Sequence, residues 1–182
     1  MIWRDNMIEI IIAVVVCISF LLLIATIMNS RFQLAIIKIE KAEEDIDIYL
    51  EKKRDLLDRS RPIITKELKE DVFLPELELN LQQMNNYDEN DILKKCYGDL
   101  LRIIDDNDKL LKSESLNTIL TGLSNNEEDV VGAIKFYNDT VVEYNKLIVA
   151  FPSNIVGLFK RYKKKPFYNN DKKEMFEILN EK

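Results

Sequence analysis

Ile10 to Ser30 is a run of 21 residues without a charge, bounded by Glu9 and Arg31 and built mostly from Ile, Val, Leu, Ala and Phe. At ~1.5 Å rise per residue such a run makes a helix about as long as the hydrocarbon core of a bilayer is thick. A soluble helix of that length keeps a polar side, and this one has none. The run is too long for the apolar region of a cleavable leader. The residues that end it, "IATIMNS", put Ile24, Ile27 and Met28 where a processing site needs small side chains. Cys17 follows Val14, Val15 and Val16, so the small residue that precedes a lipoprotein cysteine is missing as well. The segment therefore reads as a single-pass anchor, with its span at about residues 8–29. Arg31, Lys38 and Lys41 follow the span, against Arg4 and the N-terminal amine before it. This balance leans the long C-terminal part into the cytoplasm.

Beyond the anchor the sequence predicts helix almost throughout. Of the chain's 182 residues only 4 are Gly and 4 are Pro, and Glu, Lys, Leu and Ile recur at helical spacing. From Phe32 to about Ser60, Ala35, Ile39, Ala42, Ile46, Tyr49 and Leu56 mark a packing seam with Lys53 as its break. Ile36, Leu50 and Leu57 widen the seam to a bundle-type stripe. Pro62 and Pro75 predict a kink or break at one of the two. A second helical stretch is expected at about residues 76–83, then one over Ile92 to Ile104. Next come a short helix from Leu116 to Thr121 that Gly122 ends, and a last long helix capped by "SNNEEDV". That last helix repeats Val130, Ile134, Tyr137, Val141, Tyr144, Ile148 and Phe151 at four-three spacing, and Pro152 stops it. The expected fold class is all-α, an N-terminal transmembrane helix followed by an antiparallel, four-helix-like bundle. Its divisions are 1–30 as anchor, 31–155 as bundle and 156–182 as a basic, aromatic tail.

Several chemistries have no residues to run on. The chain has no histidine, which removes imidazole bases, Ser-His-Asp triads and His-containing metal sites. Its 2 cysteines, Cys17 in the span and Cys96 in a helix, predict no disulfide within the chain. "DDND" at Asp105 to Asp108 lacks the Gly and Glu of a calcium loop, because its sixth position falls on Leu110 or Leu111. Glu43, Glu44, Asp45 and Asp47 form an acidic run, but helical di-metal sites need Glu-x-x-His pairs, so this run reads as a solvated face. Asn138-Asp139-Thr140 is a glycosylation sequon inside a predicted helix. No cofactor and no enzymatic activity are expected.

Charge is uneven. Residues 31–159 hold 17 Lys and Arg against 26 Asp and Glu, a balance of minus nine, which argues against nucleic acid as a partner. Immediately after come Lys160, Arg161, Lys163, Lys164 and Lys165, interleaved with Phe159, Tyr162, Phe167 and Tyr168. These basic residues could meet anionic headgroups, at about 1 kcal/mol per near-surface Lys or Arg. The alternative is a solvated tail or one docked on the acidic bundle.

The stretch "AIKFYNDTVVEYNKLIVAFPSNIVGLFKRYKKKPFY" resembles the signature end of the LemA family of bacterial membrane-anchored helical proteins. The residues that carry the likeness are Tyr137, Asn138, Tyr144, Asn145, Phe151, Pro152, Asn154, Pro166 and Phe167. Near the anchor, Asn29 and "KAEEDIDIYLEKKRDLL" resemble the family's front segment. Asp55-Leu56-Leu57-Asp58 departs from its usual Asp-Leu-Ile-Pro, and residues 62–90 align poorly. The resemblance implies a helical bundle behind one N-terminal span at the bacterial cell membrane, usually drawn on the cytoplasmic side, and it implies no enzyme activity. The reading is a non-catalytic scaffold or adaptor, with an unidentified protein partner or self-association. Its alternative is a membrane-surface effector that binds anionic lipid through the basic tail. Tyr137 and Tyr144 fall on the apolar seam. Asn138 and Asn145 lie one step round it, where they are expected to fix helix register through hydrogen bonds to a neighbouring helix or loop carbonyl.

Overall fold

The computed structural model describes residues 2–69 and 85–168, with side chains from Met7 onward. Its elements are α1 (Ile2–Leu68), α2 (Asn86–Asp105), α3 (Asp108–Leu111), α4 (Glu114–Val149) and α5 (Ser153–Lys160). No strand occurs among the described residues, so the fold is all-α. The stretch expected as helix at 76–83 lies outside them. Two compact units are formed, one from residues 2–39 and 139–167, the other from 40–138 and Tyr168.

In the first unit α1 changes character along its length. From Met7 to Leu23 every residue is exposed, and α1 is long and apolar enough there to cross a membrane. The hydroxyls of Ser19, Thr26 and Ser30 donate back to the carbonyls of Val15, Leu22 and Thr26, so these polar groups are satisfied within the helix. Burial begins at Phe32, whose ring meets Tyr144 of α4, and continues through Ala35 and Ile39, with Val141 of α4 buried as well. Lys38 lies 3.9 Å from Glu143, on the exposed margin of this pair.

In the second unit α1 contributes Ala42, Ile46, Leu50, Leu57 and Ile64, α2 contributes Leu93, Cys96, Leu100 and Ile104, and α4 contributes Leu116, Leu123 and Val130. α4 runs antiparallel to α1, since Lys52 reaches Asp129 at 3.6 Å while Leu56, further along α1, lies against Gly122. α2 follows the direction of α1: Asn86 donates to Asp47, and Arg54 pairs with Glu89. Asn85 caps α2, its Oδ1 accepting from the Asp88 N–H at 2.9 Å.

α1 runs through Pro62 to Leu68, and Pro75, the other residue at which a kink or break is expected, lies outside the described residues. Other local readings of the sequence are corrected. Gly122 does not end a helix, and "SNNEEDV" does not cap one, because both lie inside the unbroken α4. A Cβ at position 122 would sit 3.4 Å from both Leu56 methyl carbons, so Gly122 is a close-packing position. Asn126 is fully buried and donates from Nδ2 to the Tyr49 carbonyl at 3.0 Å. Its amide therefore joins two helices instead of starting one, and burial of Leu123 and Val130 on either side outweighs the weak helix propensity of Ser124 and Asn125. Lys53, expected as a break in the seam, is part of it: fully buried, it pairs with Glu127, which also has Lys94 at 3.7 Å.

Burial lowers the affinity of Lys53 for its proton, and the Glu127 carboxylate opposes that effect. A lysine whose folded pKa is depressed loses its proton more readily in the folded chain. Stability tied to it therefore rises as the pH climbs from neutral toward its unfolded value near 10.4. Between pH 7.5 and 9.5 the melting temperature of the detergent-solubilised chain should rise relative to that of Lys53→Met. Parallel pH profiles for the two proteins would refute the assignment.

Candidate functional site

The signature residues converge on the C-terminal segment that leaves α5. α4 ends at Val149, and Ala150 to Pro152 turn the chain into α5. The Ala150 carbonyl accepts from the Asn154 N–H at 2.8 Å and from the Ser153 hydroxyl at 2.9 Å. The Phe151–Pro152 peptide is cis. Phe151, expected as the last step of the α4 stripe, lies beyond the helix end and is exposed, so the buried stripe stops short of it. A domain boundary drawn at 155/156 falls inside α5.

α5 closes with its Arg161 at φ 56°, in the left-handed region. The Tyr162 N–H bonds the Gly157 carbonyl at 2.9 Å and the Arg161 N–H bonds that of Leu158 at 3.1 Å. Glycine is the usual occupant of this corner, and an L-residue there costs about 1–2 kcal/mol. The position nonetheless carries a guanidinium, exposed beside Lys160 and Lys163.

From Tyr162 the chain has no regular secondary structure of its own and lies along α4. In the first unit the Asn145 carboxamide pairs with the Lys165 main chain in both directions. Oδ1 accepts from the Lys165 N–H and Nδ2 donates to its carbonyl, each at 2.9 Å. The Tyr162 ring packs on Phe32 at 4.8 Å, its hydroxyl accepts from Gln33 Nε2 at 2.7 Å, and Tyr144 meets Phe32 edge-on at 5.9 Å. In the second unit Asn138 Oδ1 accepts from the Tyr168 N–H at 2.9 Å. The Tyr168 ring meets Tyr87 at 6.0 Å and Tyr137 at 6.3 Å, and its hydroxyl donates to the Asn86 carbonyl at 2.6 Å. Burial pushes that hydroxyl well above its ordinary pKa.

These contacts explain the spacing of the signature. Seven residues of helix advance ~10 Å, and so do three residues of extended chain. Asparagines seven apart on α4 can therefore serve backbone groups three apart at Lys165 and Tyr168. Of the expected partners, a neighbouring helix or a loop carbonyl, the second is found for Asn145, which donates to the Lys165 carbonyl; Oδ1 of both asparagines also accepts from main-chain N–H groups of the same C-terminal segment. Asn138 is also buried and engaged, so the sequon it opens is not accessible in the folded chain.

The family model described as the LemA family matches residues 66–178. The chain belongs to the LemA family. Neither the curated proteins nor the solved structures gave a match. The LemA match begins beyond the front segment, whose likeness rests on its residues alone. It includes every signature residue from Tyr137 to Phe167 and takes in residues 66–90, most of the stretch 62–90 expected to align poorly.

Of the basic residues, Lys160, Arg161, Lys163 and Lys164 are exposed and Lys165 is half-buried. Glu44 and Asp47 are exposed, while Glu43 and Asp45 are partly covered. Among the described residues no group of three or more Cys, Asp or Glu stands as a metal site. Sequence reasoning missed Phe32, Gln33 and Gly157. The small residues Ser153 and Gly157, four apart with bulky side chains around them, were the available signal for a helix packed by its small face.

Asn145→Ala should lower the unfolding free energy by about 1–3 kcal/mol, since it removes two hydrogen bonds and strands main-chain groups. It should also speed amide exchange at Lys165, and Asn138→Ala should do so at Tyr168. Wild-type exchange at both amides in the two variants would contradict the role given to the asparagines.

Proposed function

We propose that this LemA-family protein is a non-catalytic scaffold at the bacterial cell membrane, tethered by the first part of α1 and presenting its helices to protein partners on the cytoplasmic side. The observation that carries this reading is α1 itself. It is one helix in which the charge-free run is succeeded, from Phe32, by core positions. Such a helix crosses lipid with its backbone groups satisfied and then packs as an ordinary core element. Arg31, Lys38 and Lys41 at the exit support the cytoplasmic placement. The test fuses a proximity-labelling enzyme to the full chain and, separately, to residues 1–38 alone. The scaffold reading expects a reproducible set of labelled proteins that the anchor alone does not give. Identical sets from both fusions would remove it.

A second reading, attachment to anionic lipid, is favoured by the exposure of Lys160, Arg161, Lys163 and Lys164 in the unit that contains the charge-free run. Replacing Lys160, Arg161, Lys163, Lys164 and Lys165 with Gln removes about 1 kcal/mol of attraction for each charge near the surface. The anionic phospholipid that co-purifies with the full chain should then fall. Equal retention by variant and parent would rule out the tail as its site.

A further inference from the structure

α5 is packed inside out for a helix in water. Its small residues Ser153 and Gly157, one turn apart, are buried. A Cβ at Gly157 would stand 3.3 Å from Phe32 Cζ. The large apolar side chains point the other way: Leu158 is 79% exposed, Phe159 84%, and Phe151, just before the helix, 80%. Ile155 shares the face of Leu158 and Phe159 by its three- and four-residue spacing. In water this arrangement is unfavourable, because apolar surface of this kind is normally the part removed from solvent.

The surroundings of α5 name what covers it. Val156, Phe159 and Lys160 line an open groove with Leu22, Ala25, Thr26 and Asn29 of α1. Those α1 residues belong to the charge-free run: Thr26 and Leu22 precede Arg31 by five and nine residues. At ~1.5 Å per residue the groove that Phe159 lines beside α1 therefore lies at a depth of roughly 7–13 Å below the first charge. Interfacial helices bury their apolar face about 5–10 Å into the boundary between headgroups and acyl chains. Lys160, Arg161 and Lys163 follow at once and are exposed, as side chains that reach for phosphate from such a depth must be.

We propose that α5 lies in the bilayer interface beside the span, with Phe151, Ile155, Leu158 and Phe159 among the acyl chains, as a second and monotopic attachment to the same leaflet. The proposal rests on the anchoring part of the reading above. It differs from attachment by the basic tail because apolar burial, not charge, holds the helix.

The test uses the full chain in phosphatidylcholine vesicles, with one NBD-labelled cysteine at a time and the other cysteines replaced by Ser. The positions are native Cys17, L158C, F159C and, as a control beyond the exit, E143C. Lipids with nitroxides on the acyl chain should quench the probes at 17, 158 and 159 and spare 143, and emission at 158 and 159 should be blue-shifted. Quenching at 17 without quenching at 158 and 159 overturns the proposal and leaves the anchor standing. No quenching at 17 removes the anchor and the proposal together. A blue shift at 158 and 159 without quenching means that protein, such as a second copy, covers the face, which also overturns it. So does quenching that appears only when phosphatidylglycerol is added, since charge would then be the cause.

Discussion

Phe32 is the first side chain after the charge-free run to be completely buried, and the first unit is organised around it. Tyr144 of α4, Tyr162 of the C-terminal segment and Gly157 of α5 all meet its ring. Three elements distant in sequence thus share one aromatic contact point, one residue past Arg31. A smaller residue would leave each of them facing a void, because close-packed interiors relax only partly around a lost ring. The absence of a side chain at Gly157 is what lets α5 approach.

The second unit depends on a different device. Lys53 and Glu127 are charged groups set into an apolar seam, with Lys94 on the other side of the carboxylate and Arg54 paired to Glu89 nearby. Burial raises the pKa of the Glu89 carboxyl, and Arg54 acts against that shift. Buried pairs of this kind add little net stability. Separating the partners is costly, however, so wrong helix registers are penalised more than the right one is rewarded.

Much of this was legible in the sequence. The charge-free run, the stripe from Val130 to Ile148 and most of the seam through Ile39, Ala42 and Ile46 follow from composition and period, because burial of a helix face imposes a period on the residues that build it. The misread parts involve residues that serve two purposes. Ser, Asn and Asp cap helices when their side chains bond locally, yet Asn126 bonds across to the Tyr49 carbonyl, and the local pattern cannot distinguish the two uses. Gly122 is likewise a helix stop or a contact glycine, depending on whether Leu56 is opposite. The asparagines of the signature were found at their places on α4. Their partners were legible only as a helix or a loop carbonyl, not as particular residues, since a main-chain group leaves no mark on the sequence.

That last point bears on how the C-terminal segment can vary. Asn145 grips the N–H and carbonyl of Lys165, groups that nearly every amino acid supplies. The two bonds make no demand on which side chain stands at 165, with one exception: proline, which has no N–H to offer. The neighbouring residue is Pro166. Sliding the segment by one position in the direction that brings Pro166 to Asn145 would lose the donor, so the ring at 166 closes one of the two neighbouring alignments. A contact indifferent to side-chain identity is in this way made selective by the one residue it cannot accept.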